Sequence, residues 1–272
     1  MAWRESPRRL AEGRQRKGEG QNASYRLGRK LAHQLPTGMI TGIPLELAIS
    51  RIATLHRHDS RGRIVEVNQW DGGTPARFTL MRTAADVICR FRADVPDELA
   101  HAIEELSSQE PRGRDLGKLP VHHHRYRRLL SSQAPVEAVS AGPAYMFTQD
   151  EAGSAAPVAI GEHNAYLLRG GLDDWIPDVP HRRPFMAIVE DGHAVALCAS
   201  VRISTAVHCA GVETRPEYRH RGHAVNAVAG WGRAVRALGA TPFYSTSWEN
   251  IASQRVAERL GLTMVAVDFS IA

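Results

Sequence analysis

The stretch RPFMAIVEDGHAVALCASVRIS, Arg183–Ser204, most constrains the fold. Two apolar runs, Phe185–Glu190 and Ala194–Ile203, flank the link Glu190-Asp191-Gly192-His193. Asp-Gly between apolar runs is a strong short-range hairpin signal, because a tight turn needs positive φ. The spacing therefore predicts two antiparallel strands.

The neighbouring segments extend this unit. His208–Pro216 reads as a strand stopped by proline, and the segment from Gly222 to Ala237 as a helix closed at Gly239. Thr241–Trp248 reads as a strand, Glu249–Gly261 as a helix closed by its glycine, and Leu262–Ile271 as the last strand. Upstream, Tyr145–Thr148 reads as a short strand, and His163–Pro180 as one or two short helices.

The first half carries its own pattern. Leu45, Ile49, Ile52 and Leu55 have helical spacing within Pro44–His58. Gly62–Trp70, ARFTLMRT and DVICRFRADV read as strands, with Asp71–Pro75 as a turn. Pro96–Pro111 and PVHHHRYRRLLSS read as helices. The expected organisation is a basic disordered tail (1–30), a smaller N-terminal αβ domain (31–140) and a mixed αβ domain (141–272).

Charge narrows the partners. The net charge is +5, from 34 basic and 29 acidic residues. Residues 1–30 hold nine of the bases and three of the acids, so residues 31–272 are close to neutral at −1. The folded body therefore carries no general nucleic-acid signal, and only the tail suits such a partner. No apolar run reaches the roughly 18 residues of a membrane span. The opening residues lack the apolar core of a secretory leader, so a cytoplasmic location is expected. Cys89, Cys198 and Cys209 are odd in number and lack paired spacing, which argues against a disulfide framework or a zinc site. His122–His124 are consecutive, point different ways on a helix and have no accompanying ligand set, so no metal is expected.

Chemistry gathers at YRHRGHAVNAVAGWGRAV, Tyr218–Val235. A strand enters a basic turn, and the turn enters a helix. A helix N-terminus offers unpaired N–H groups and the positive end of a dipole, which favour phosphate. Gly222 and Ala224 leave room for close approach, and Arg219 and Arg221 add charge.

Arg219-His220-Arg221-Gly222-His223-Ala224 resembles the (Gln/Arg)-x-x-Gly-x-(Gly/Ala) signature of the GCN5-related N-acetyltransferase (GNAT) superfamily. TRPEYR before it resembles the family's lead-in, and Ser245–Leu262 resembles its second cofactor segment. The resemblance covers roughly residues 141–272. It implies a mixed, mostly antiparallel sheet flanked by helices, with acetyl-CoA as co-substrate. The turn Arg219–Ala224 would cradle the pyrophosphate, and Asn250 and Ser253 would bind the pantetheine arm. Backbone N–H groups around Val212–Thr214 would hold the acetyl carbonyl.

Acyl transfer to an amine needs a proton acceptor, donors for the carbonyl oxygen and relief of the leaving thiolate. Glu213, on the strand that approaches the thioester, is the first candidate base, and Glu249 the second. The family's usual acid is a tyrosine, but Ala257 stands at that position. Ser253, Ser247, Tyr244 or water are the alternatives. Gly170–Asp178 is an acidic loop, and Asp173, Asp174 and Trp175, with Glu213, are the candidate substrate contacts.

The reading is an N-acetyltransferase acting on a small primary amine: an amino sugar or aminoglycoside-type antibiotic (hence an antibiotic-resistance role), an amino acid or a polyamine. The acidic loop leans toward a cationic acceptor. A protein lysine or N-terminal acetyltransferase and a non-catalytic acyl-CoA sensor stay open, as does a homodimer.

Overall fold

The computed structural model describes residues 40–148 and 156–272. The expected disordered tail lies outside the described residues. The Asp-Gly link closes a hairpin: strands β7 (Phe185–Glu190) and β8 (His193–Ile203) pair antiparallel. Asp191 and Gly192 both take positive φ, 48° and 78°, as a two-residue turn between twisted strands requires.

Three helices and four strands precede the hairpin's sheet partners. They are α1 (Leu45–Leu55), β1 (His56–His58), β2 (Ile64–Val67), β3 (Phe78–Arg82), β4 (Val87–Phe91), α2 (Asp97–Ser108) and α3 (His123–Ser131). Then come β5 (Val139–Met146), β6 (Val158–Ala159) and two short 3-10 segments, Glu162–Leu168 and Asp173–Asp178. After the hairpin lie β9 (Val207–Thr214), α4 (His223–Ala237), β10 (Thr241–Ser245), α5 (Ile251–Arg259) and β11 (Thr263–Ile271).

Among the described residues, nine strands form one sheet in the order β4-β3-β11-β5-β10-β9-β8-β7-β6. Neighbours are antiparallel except β9 and β10, which are parallel across the α4 crossover. β1 and β2 form a separate pair. β3 lies against β11, with Phe78 opposite Ile271, so the N-terminal half covers an edge that β11 would otherwise leave open. The boundary expected at residue 140 falls inside β5. The N-terminal half is thus built into the sheet and does not precede it as a domain of its own.

The helix ends follow from local chemistry. After α4, Gly239 takes φ 79°, its N–H reaches Arg236 O at 2.8 Å, and Ala240 N reaches Val235 O at 3.4 Å. After α5, Gly261 (φ 63°) and Leu262 repeat that pairing on Glu258 O and Ala257 O at 3.0 and 2.9 Å. Both helices close by the Schellman motif, which glycine allows without a Cβ penalty.

One face of the sheet carries α4 and α5, sealed by Ala227, Val228, Trp231, Val235 and Ala257 against Val195, Cys198, Ala210 and Tyr244. α1 contributes Ala48, Ile52 and Leu55 to a second cluster with Val207, Cys209 and Phe243. The apolar stripe expected on α1 is shifted. Leu45 and Ile49 are exposed, whereas Arg51 and Thr54 are buried. Arg51 is held bidentately by Asp268, at 2.8 and 2.5 Å, and also donates to Ser245 Oγ at 2.9 Å. The helix expected to continue to His58 stops at Leu55, because His56–His58 pair with β2.

Candidate functional site

The site starts from a fork. β9 pairs with β10 only at Val207, His208 and Cys209. Beyond Cys209, β9 follows β8 alone, through Gly211 opposite Ala199 to Thr214 opposite Ala196. β10 follows β5, and Thr246 N and Trp248 N extend that pairing to Pro143 O and Ala141 O at 3.2 and 3.1 Å. The facing edges of the diverging strands lack a ladder partner in each other, and a third chain of atoms can use them. Val212, Glu213 and Thr214, predicted as the acyl-facing residues, stand on this stretch.

The basic turn follows directly. Pro216–Tyr218 make a single 3-10 turn, His220 has φ 65°, and Gly222, the N-cap of α4, has φ 88°. Arg219, His220 and Arg221 are exposed. Arg215 and Arg221 lie over the Tyr218 ring at 5.2 and 5.1 Å. Arg219 Nε reaches Thr214 O at 3.4 Å. His223 turns inward, with Nε2 3.4 Å from Glu190 Oε1. Ala224 is half-buried in the first turn.

The space above Gly222 is open, and the nearest atom to a Cβ built there is Arg259 Nη2, at 3.9 Å. Arg259 ends α5, so a further exposed guanidinium joins the turn from another helix. The sequence reading missed it. Its only signal was an arginine directly before Leu260-Gly261.

Glu213 and Trp175 come together: Trp175 Nε1 donates to Glu213 Oε2 at 2.7 Å. Trp175 is buried, edge-to-face with Phe185 at 5.9 Å. Gly211 is needed beneath it, since a Cβ there would meet Val201 Cγ1 and the Trp175 ring. Asp173 has a different task. Its Oδ2 accepts Gly170 N and Gly171 N, both at 2.9 Å, and these backbone bonds, that of Gly171 foremost, hold its carboxyl below the usual range. Asp174 is exposed on the same turn, and Glu249 is exposed just before α5.

Asn250 caps α5, its Oδ1 accepting Ser253 N at 3.0 Å. Ala257 is fully buried in the cluster that holds Tyr244. The Tyr244 hydroxyl and Thr246 Oγ1 are buried without a well-formed hydrogen bond, two residues apart where β10 leaves β9. Burial pushes the Tyr244 phenol up, and the neighbouring Ser253 hydroxyl pulls it partly back.

Residues 186–266 match the GNAT acetyltransferase family model. This match supports the GNAT superfamily for the C-terminal half. No curated protein matches the chain. Among solved structures, the chain is similar to a GNAT-family protein from Novosphingobium aromaticivorans, at 20% identity and a TM-score of 0.41, over 50% of this chain and 65% of that one. It thus spans just under two thirds of that relative's length. An acetyltransferase of the GNAT family from Colwellia psychrerythraea matches at 14% identity over 86% of this chain and 92% of its own, with a TM-score of 0.43. A GCN5-related N-acetyltransferase from Kribbella flavida matches at 16% identity over 85% and 95%, also at 0.43.

GNAT proteins typically use acetyl-CoA. The residues here fit its anionic end: an open glycine N-cap, exposed Arg219 and Arg221, and Arg259 at 3.9 Å from the Gly222 Cβ position. Among the described residues, no group of three or more His, Cys, Asp or Glu side chains is placed to hold a metal. No described helix is long and apolar enough to cross a membrane.

Proposed function

We propose that this protein is an acetyl-CoA-dependent N-acetyltransferase acting on a primary amine of a small molecule. The observation that carries the reading is Glu213, oriented by the Trp175 indole on the stretch of β9 that has left β10. Acetyl-CoA, when bound, supplies the activated acetyl group and a thiolate leaving group.

The chain's own residues divide the remaining work. Arg219, Arg221 and Arg259, with the N-terminal N–H groups of α4, hold the pyrophosphate. The free edge of β9 around Val212 and Thr214 donates to the acyl oxygen. Asn250 and Ser253 hold the pantetheine arm. Glu213 removes the ammonium proton, directly or through one water, so that the neutral nitrogen can attack. The Trp175 N–H fixes one carboxylate oxygen and leaves the other to the amine. Tyr244, whose hydroxyl has no good partner, supplies a proton to the departing sulfur and stands in for a tyrosine at position 257.

The test is thiol release from acetyl-CoA with a panel of amino sugars, amino acids and polyamines. Turnover with at least one amine, abolished in Glu213→Gln, is expected. Micromolar CoA binding with no amine acetylated would overturn the reading.

A further inference from the structure

Between exposed Glu217 and exposed Arg219, Tyr218 is half-buried. Its ring is fixed from several sides. Tyr218 N donates to Arg215 O at 3.0 Å and closes the 3-10 turn. The ring packs against the cluster that seals α4, which includes Ala227 and Val228. His223, in the first turn of α4, meets it edge-on with centroids 6.1 Å apart, and His223 is itself buried beside Glu190. Two guanidiniums lie over the same ring, Arg215 at 5.2 Å and Arg221 at 5.1 Å.

The two arginines differ in what else they touch. Arg215 is paired, with Nε and Nη2 at 2.8 and 2.6 Å from Glu217 Oε1. Arg221 makes no ion pair and no side-chain hydrogen bond among the described residues, where the Tyr218 ring is the partner of its guanidinium. Arg221 directly precedes Gly222, the N-cap of α4. A carboxylate partner takes N–H donors, cancels the charge and repels a phosphate. An aromatic face attracts the guanidinium without any of these costs, and it leaves all five N–H donors unspent. It also restricts the side chain before a ligand arrives, so less freedom is lost on binding.

We propose that Tyr218 is a positioning residue. Its ring holds the Arg221 guanidinium, charged and with its donors free, beside the N-terminus of α4 for the pyrophosphate of acetyl-CoA. The role rests on the acetyl-CoA reading for its ligand, whereas the held arginine is a property of the free chain.

Two measurements on the full chain test it. One is NMR of the arginine Nε–H groups without ligand, with the Arg221 signal identified by its loss in Arg221→Lys. An aromatic face shifts the resonances of protons held over it. The signal should therefore stand apart from that of free arginine in the parent and in Tyr218→Phe, and coincide with it in Tyr218→Leu. The other is calorimetry with acetyl-CoA. Tyr218→Leu should bind about threefold or more weakly and Tyr218→Phe less than about twofold more weakly, as a cation–π contact kept by any aromatic ring requires. Tyr218→Met carries the same expectations as Tyr218→Leu should leucine unfold the turn. Arg221→Lys keeps the charge at an exposed position but not the planar contact, so the double variant should bind within about twofold of the weaker single one. A parent Arg221 signal at the free-arginine position, or losses that multiply in the double variant, would overturn the role. A parent that binds acetyl-CoA with an affinity that Tyr218→Leu leaves unchanged removes the role alone. A parent that binds no acetyl-CoA removes the acetyl-CoA reading and the role with it.

Discussion

Gly222 and Gly239 offer a matched pair of perturbations. Both have left-handed backbone, φ 88° and 79°, at opposite ends of α4. A Cβ on Gly239 meets nothing within 4 Å, and one on Gly222 meets only Arg259 Nη2 at 3.9 Å, an ordinary contact. Alanine at either position therefore costs backbone strain and no clash, about 1–2 kcal/mol for a non-glycine residue. At about 2–4 °C per kcal/mol for a domain of this order of size, each variant should melt about 2–8 °C below the parent. The two should differ only toward the ligand. On the proposed acetyl-CoA reading, Gly222→Ala places a methyl beside the N-terminal N–H groups of α4 and should weaken acetyl-CoA binding at least about tenfold, or ~1.4 kcal/mol. Gly239→Ala should bind as the parent does. Melting curves and calorimetry with acetyl-CoA measure both quantities. Unchanged affinity in Gly222→Ala, or an equal loss in Gly239→Ala, would refute the assignment of the turn as the phosphate seat.

Further outcomes follow from the same geometry. Glu213→Gln should lower kcat by about 100- to 10,000-fold, the range of general base catalysis, with the acetyl-CoA Kd unchanged; stopped-assay kinetics and calorimetry check this. Tyr244→Phe removes a buried hydroxyl that lacks a good partner, so its Tm should hold or rise while kcat falls if that hydroxyl protonates the sulfur. An undiminished kcat would leave protonation to Ser253 or water. Arg51→Met leaves Asp268 without its guanidinium and should cost about 3 kcal/mol in urea unfolding, the low end for a broken buried pair because Asp268 keeps some exposure. His56 has its pKa lowered from 6.5 to about 4, chiefly by burial. The unfolded chain then binds the extra proton between those values, so stability is lost as pH falls from 6.5 toward 4, by roughly 3 kcal/mol in all. In His56→Gln the unfolding free energy should depend less on pH across that window.

Much of the candidate site was legible because its parts are local. The positive-φ turn at Asp191-Gly192, the glycine closures after α4 and α5 and the Asn250 cap each need only residues adjacent in the chain. The basic turn is likewise contiguous, from Arg219 to Ala224. α1 shows where such reading stops. Its buried face includes Arg51 and Thr54, which a periodicity rule assigns to solvent, and their burial is permitted by Asp268 and by Ser204 Oγ, 2.8 Å from Thr54 Oγ1. Those partners are more than a hundred residues away. Asp173 shows the same limit: its charge suggested a contact for an amine, and the structure adds that its Oδ2 accepts two N–H groups of its own loop.

By itself, then, the order of residues determined the Asp191-Gly192 hairpin, the glycine closures of α4 and α5, the basic turn and the place of Glu213 on the strand entering it. These depend on backbone conformation and on hydrogen bonds a few residues long. Only the tertiary structure decided which strands lie side by side, that β9 and β10 part after Cys209, that the Trp175 indole holds Glu213, and that Arg259 reaches Gly222. Each of these joins groups distant in the chain, and the packing that brings them together is the sum of many small contacts that no single stretch encodes.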